Sequence, residues 1–159
     1  MASGKTTVGE LLAHELGWSF ADLDADIESA QGTKIAEIFD RDGEEHFRQI
    51  EHETVRKRVS EVVRGKPMVL ALGGGTYTQL ANKRLLDENG VTIWLDCAYD
   101  RLCARLGDDG DRPLARDPVK FRQLFEDRQS CYSQAEYRIE VDTDDPAAIV
   151  AAILKLPIF

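Results

Sequence analysis

Ser3-Gly4-Lys5-Thr6-Thr7 gathers a glycine, a lysine and two neighbouring hydroxyls at the head of a segment, Val8 to Leu16, whose apolar residues recur at helical spacing. The stretch reads as the second half of a phosphate-binding loop running into its helix. In such a loop Gly4 lets backbone N–H groups close around phosphate oxygens, and the helix dipole favours the anion. Lys5 then reaches the β/γ-phosphates and the Thr6 hydroxyl ligates Mg²⁺. The full pattern G-x-x-x-x-G-K-[ST] puts its first glycine before Met1, together with the strand that feeds the loop, so that first strand is expected to be missing here. A chance helix N-terminus carrying Gly-Lys-Thr is the alternative, and the rest of the chain must decide between them.

Other residues have types and spacing suited to the same chemistry. Asp22 and Asp24 flank Leu23 at the end of a short strand, Trp18 to Ala21, which places two carboxylates on one side of an extended segment. One can hold a metal's water shell and the other can accept from a substrate hydroxyl, whereas Asp26 and Glu28 read as caps of the helix that follows. Arg48 and Glu51 lie one turn apart and can either pair or flank a ligand. Gly73-Gly74-Gly75 directly follow the apolar run Met68 to Leu72, so the backbone there can approach a ligand at the carboxyl edge of a sheet. Gly107 to Pro113 is polar, glycine-punctuated and longer than a tight turn, which suits a mobile lid over about 107–118 carrying Arg112 and Arg116. Arg128 shares a helix face with Phe121, Leu124 and Phe125, and needs an anion there or a route to solvent.

These residues must be held by alternating elements. A first helix ends near Gly17, and Ile35 to Phe39 forms a short helix broken at Asp42-Gly43. A longer helix then carries Phe47, Ile50, Val55, Val59 and Val62. Met68 to Leu72 and Val91 to Leu95 suit parallel strands buried on both faces. Helices over Ala98–Leu106, about Phe121–Arg128 and Ala147–Leu156, with a strand Arg138 to Asp142, complete the pattern. The expected fold is α/β with a parallel sheet covered on both faces, in a single domain spanning 1–159. A net charge of −9 argues against a nucleic-acid or anionic-membrane partner, so any anion-binding arginines act locally. Cys97, Cys103 and Cys131 match neither a zinc spacing nor a disulfide framework, which with no signal-like segment or membrane span predicts a soluble, cytoplasmic protein.

In this order and spacing the chain resembles the shikimate kinases over essentially its whole length. The resemblance rests on the Gly-Lys-Thr loop, Asp22-Leu23-Asp24 with Ile27-Glu28, and Gly43-Glu44 with Phe47-Arg48 and Glu51. Leu72-Gly73-Gly74-Gly75, Arg112-Pro113-Leu114, and Arg128 with Tyr132 complete it. It implies a three-layer α/β/α P-loop kinase of nucleoside monophosphate kinase-like architecture, using ATP and Mg²⁺ to phosphorylate the 3-hydroxyl of shikimate, and a monomer. Carried over by motif, Gly4, Lys5, Thr6 and Thr7 match the phosphate loop, Thr6 and Asp22 the metal's surroundings, and Asp24 the aspartate at the shikimate hydroxyls. Arg48 and Arg128 match the residues that bind the shikimate carboxylate, Gly73, Gly74 and Gly75 the backbone beside the substrate, and Arg112 the lid arginine on the phosphates. Arg105 falls where the family often sets an arginine against adenine. A kinase of another small metabolite, such as gluconate, is the nearest rival, and a non-catalytic nucleotide-binding module comes from a different class. Asn82-Lys83-Arg84-Leu85 begins like the guanine-reading N-K-x-D but lacks its aspartate, which argues against a GTPase.

Overall fold

The structure is a computed structural model describing residues 3–107 and 117–158. The chain divides into two compact units, one formed by Gly9–Gly90 and the other by residues up to Val8 together with those from Val91 onward. Arg112 and Arg116, with Pro113, Leu114 and most of the expected lid, lie outside the described residues.

In Gly9–Gly90, β1 (Ser19–Asp22) pairs in parallel with β2 (Met68–Ala71), from Ser19↔Met68 to Asp22↔Ala71. Both strands therefore end level, and the chain leaves them at one edge. After β1 it turns at once into α2 (Leu23–Gln31), which ends at Gly32 in the left-handed conformation. Asp24 is thus helical, and the expected alternation of Asp22 and Asp24 along an extended segment does not occur. The cause is Asp22 itself, whose Oδ1 accepts from the Asp24 and Ala25 amides at 3.0 and 3.2 Å and starts the helix one residue later.

The next helix, α3 (Ile35–Val63), is continuous except at Gly43, where φ 84° and ψ 170° interrupt it. The break is the one expected at Asp42-Gly43. Leu23 and Ile27 of α2 meet Ile38, Phe47 and Val55 of α3 in a buried cluster, with Leu70, Leu85 and Leu86 packed against it. Leu85 and Leu86 belong to α4 (Leu80–Asn89). Outside that cluster, the Arg58 guanidinium grips the Asp26 carboxylate with two 2.7 Å hydrogen bonds and ties α3 to α2. β2 is half-buried over Met68–Leu70 and buried at Ala71.

The second unit contains the first residues of α1 (Lys5–Leu16), whose remainder belongs to the first unit. In it β3 (Ile93–Cys97) pairs in parallel with β4 (Tyr137–Val141). β3 lies two residues later than its apolar pattern indicated, because Asp96 and Cys97 continue the ladder while Val91 and Thr92 stay outside it. Helix α5 (Tyr99–Gly107) follows β3, α6 (Pro118–Tyr132) precedes β4, and α7 (Pro146–Ile153) packs on β4. Asp117 and Asp145 cap α6 and α7 by accepting from the Lys120 and Ala147 amides, each with proline in the first turn. Lys155 and Leu156 fall beyond α7, which is shorter than its apolar run. Among the described residues no helix is long and apolar enough to cross a membrane.

Candidate active site

The carboxyl ends of β1 and β2 gather most of the expected substrate residues. Beyond β2 the chain turns through Gly73-Gly74-Gly75-Thr76, closed by the Thr76 amide donating to the Gly73 carbonyl at 3.1 Å. Side chains from two helices press on this turn. A Cβ built on Gly73 would lie 2.5 Å from Asp24 Oδ1, and one on Gly75 would lie 2.5 Å from Arg48 Nη2. Contacts that short do not occur for real Cβ atoms, so both positions require glycine while these side chains stay in place. Asp24, Arg48, Gly73 and Gly75 therefore meet, as the sequence indicated.

Arg48 is held from beneath by a buried acid. Glu51, 1 % exposed, accepts from Arg48 Nη1 at 2.8 Å through one oxygen and from Thr76 Oγ1 at 2.7 Å through the other. A carboxylate withdrawn this far from water persists only when paired and hydrogen-bonded, and here it is both. Glu44 adds an exposed contact to Arg48 Nη2 at 3.4 Å, of little energetic weight. Arg48 Nε is buried and has no hydrogen-bond partner among the described residues. An orphaned donor on a charged, fixed guanidinium marks a place for an acceptor.

The other unit carries the phosphate-loop residues. Gly4 has φ 84°, a conformation that favours glycine, and leads directly into Lys5 at the head of α1. Thr6 and Thr7 lie exposed on the first turn. A cavity of about 350 Å³ is lined by Ser3, Gly4, Thr7, Arg105, Asp144 and Pro146 among others. Arg105 donates to Asp144 Oδ1 at 2.6 Å, and Arg101 donates to the same oxygen at 3.1 Å. The Arg105 hydrogen bond, aided by both positive charges, holds the Asp144 carboxyl below its ordinary pKa. Arg128 lies half-buried on α6 beside Tyr132, whose pKa is raised by burial against the opposing effect of the Arg128 charge and hydrogen bond.

Donor chemistry is compatible with Mg²⁺: the Thr6 hydroxyl and the Asp22 carboxylate are hard oxygen donors of the kind that ion takes, usually with waters completing its shell. Three residues escaped the sequence reading. Thr76 is joined to Glu51 across 25 positions by a turn no local pattern reveals. Asp144 gave no signal beyond loop polarity. Asn82 did give one, an amide on the apolar face of α4, three and four residues ahead of Leu85 and Leu86, which demanded buried partners.

Comparison with known proteins agrees with this picture. The family model described as Shikimate kinase matches residues 1–156. A shikimate kinase of Sulfurihydrogenibium sp. (strain YO3AOP1) is 41% identical over 155 residues, which span 97% of this chain and 91% of that protein. Among solved structures, the Acinetobacter baumannii shikimate kinase in complex with shikimate superposes with a TM-score of 0.89 at 35% identity, covering 98% of this chain and 87% of its own. The Aquifex aeolicus shikimate kinase does so with a TM-score of 0.82 at 28% identity, over 97% and 89%. These matches carry the expected three-layer α/β/α, P-loop kinase fold class with them. The phosphate-loop half-motif, the turn against Asp24 and Arg48, and this similarity along nearly the whole length agree: the chain belongs to the shikimate kinase family of ATP- and Mg²⁺-dependent kinases.

Proposed function

We propose that this kinase transfers the γ-phosphoryl group of ATP to the 3-hydroxyl of shikimate with the residues assigned as follows. Arg48 and Arg128 bind the shikimate carboxylate, the backbone of Gly73, Gly74 and Gly75 lies beside the substrate, and Asp24 holds the reacting hydroxyl and accepts its proton. The hydroxyl oxygen then forms the new bond to phosphorus as the bond to the β-phosphate oxygen breaks. The Gly4, Lys5, Thr6 and Thr7 loop takes the phosphates, with Lys5 on the charge that develops there, and Arg105 borders the adenine. Thr6 and Asp22 would hold Mg²⁺, which would supply neutralisation of phosphate charge. Arg112 is assigned to the phosphates on family resemblance alone. The free thiols of Cys97, Cys103 and Cys131 support action in a reducing cytoplasm. A monomer comprising one kinase domain with its lid over 107–118 completes the reading.

Arg48 carries this proposal. Its guanidinium is anchored by a buried carboxylate, leaves no room for a Cβ on Gly75, and keeps Nε orphaned. That setting fits a planar carboxylate offered in two-point geometry better than a neutral ligand. A coupled ADP-release assay with Arg48→Ala should show kcat/KM for shikimate reduced by about 2–5 kcal/mol of transition-state stabilisation, with the KM for MgATP nearly unchanged. Unchanged shikimate kinetics would remove Arg48 from the site, and faster turnover of gluconate than of shikimate by the unmodified enzyme would reassign the substrate.

A further inference from the structure

We infer that Asn82, on α4, is a positioning residue for the substrate-binding arginine, acting by locking the Gly73–Thr76 turn against α3. The inference rests on the assignment of Arg48 to the substrate carboxylate and adds a residue that does not touch the substrate.

Asn82 is 1 % exposed, and both ends of its amide are used. Nδ2 donates to the Thr76 carbonyl at 3.2 Å, and Oδ1 faces His52 Nδ1 at 2.6 Å. Since the amide oxygen can only accept, His52 must donate from Nδ1, which fixes the ring's tautomer or requires its protonated form. Thr76, wholly buried, in turn donates its hydroxyl to Glu51, and Glu51 holds Arg48. The path therefore closes on itself. His52, Glu51 and Arg48 all belong to α3, Thr76 belongs to the turn, and Asn82 bridges the two from α4.

The Asn82 amide satisfies the buried Thr76 carbonyl and His52 Nδ1, which a leucine would leave without that partner, so it contributes to stability as well. Leu85 and Leu86 of the same helix supply its apolar packing. What the amide adds is direction: it fixes the carbonyl of Thr76, whose hydroxyl orients Glu51. The gap between the turn and α3 is also unforgiving, since Arg48 Nη2 lies where a Gly75 Cβ would be. A turn that drifts from α3 by a fraction of an ångström loosens both the Glu51 anchor and the backbone under the guanidinium. Such loosening is read in shikimate binding, while the phosphate-loop residues belong to the other unit and keep their own contacts.

The test is steady-state kinetics with both substrates varied, on Arg48→Ala, Asn82→Leu, His52→Ala, Thr76→Val and Thr76→Ser, with a melting curve for each. Asn82→Leu is expected to raise the KM for shikimate tenfold or more and to leave the KM for MgATP within twofold. Thr76→Val, which replaces the hydroxyl by a methyl group, should reproduce that split, and Thr76→Ser, which keeps the hydroxyl, should reverse most of it. His52→Ala breaks only the α3 arm of the bridge and should raise the shikimate KM about threefold; it decides the matter should Asn82→Leu not fold. A shikimate KM within twofold of the parent in Asn82→Leu, or in His52→Ala when Asn82→Leu does not fold, overturns the inference. So does a rise of both KM values together, the mark of a merely structural residue. If Arg48→Ala raises the shikimate KM and Asn82→Leu does not, only the positioning role falls. If Arg48→Ala itself changes nothing, the carboxylate assignment falls first.

Discussion

A methyl group added to Gly73 or to Gly75 would strike the far end of a side chain and not backbone, so the chain can accommodate it by moving Asp24 or Arg48. At Gly73 the fold then loses little while the site loses its geometry; at Gly75 the displaced guanidinium also leaves the buried Glu51 carboxylate without its ion pair, so stability falls as well. Gly73→Ala displaces the carboxylate assigned to the reacting hydroxyl and is expected to lower kcat on the order of 10²-fold, in line with the cost of misplacing a catalytic group by about an ångström. Gly75→Ala displaces the guanidinium from Glu51 and should act chiefly on the KM for shikimate. Steady-state kinetics of both variants, with melting points to confirm folding, check the division; equal effects on kcat and KM in both would contradict it. At this scale the sequence was informative where chemistry repeats at short range. The one-turn spacing of Arg48 and Glu51 and the three glycines after a strand announced themselves. Of the two options open to Arg48, pairing with Glu51 is seen, and it does not exclude a ligand, because Nη1 alone is used for it. Thr76 was not legible as a site residue, since its partner comes from another element, and the amide of Asn82 on an apolar helix face signalled buried partners without naming them.

Helix α3 depends on one residue for its change of direction. At φ 84° and ψ 170° Gly43 occupies a region that residues with a Cβ avoid, yet nothing lies within 4 Å of where that Cβ would be. A substitution there is therefore opposed by backbone strain alone. Gly43→Ala is expected to lower the unfolding free energy by about 1–3 kcal/mol, measured as a shift of the urea midpoint at unchanged slope. An unchanged midpoint would mean that the helix straightens at no cost. The break itself was legible, because Asp-Gly interrupts an apolar period. Strand limits were less so: β3 drifted by two residues because in a parallel pair the partner strand decides where the ladder begins, and Tyr137 opposes Ile93, not Val91. Helix α2 began earlier than expected for a similar reason, as capping by Asp22 outweighed the extended pattern suggested by two alternating acids.

At the scale of the molecule, an excess of nine negative charges coexists with a function that binds anions. Its arginines are anchored locally by acids: Glu51 pairs with Arg48, and Asp144 with Arg105 and Arg101. The class of fold was legible because apolar strands alternate with helices. The separation of the described residues into two units was not, since nothing in composition changes at Gly90, where one ends. That separation has a consequence for how each ligand marks the chain. The cavity beside Gly4, to which the nucleotide is assigned above, is lined by residues up to Val8 and after Val91, whereas Asp24, Arg48 and the glycine turn all lie within Gly9–Gly90. A bound ligand suppresses the local openings through which amide protons exchange with solvent. In deuterium-labelling mass spectrometry, MgADP should slow uptake in peptides covering the start of α1 and α7, and shikimate should slow it in those covering the 73–76 turn, α3 around Arg48 and α6 around Arg128. α1 begins in one unit and continues into the other, so peptides from its two ends should respond differently to MgADP, its first turn most strongly. Protection by MgADP confined to Gly9–Gly90 would place the nucleotide elsewhere.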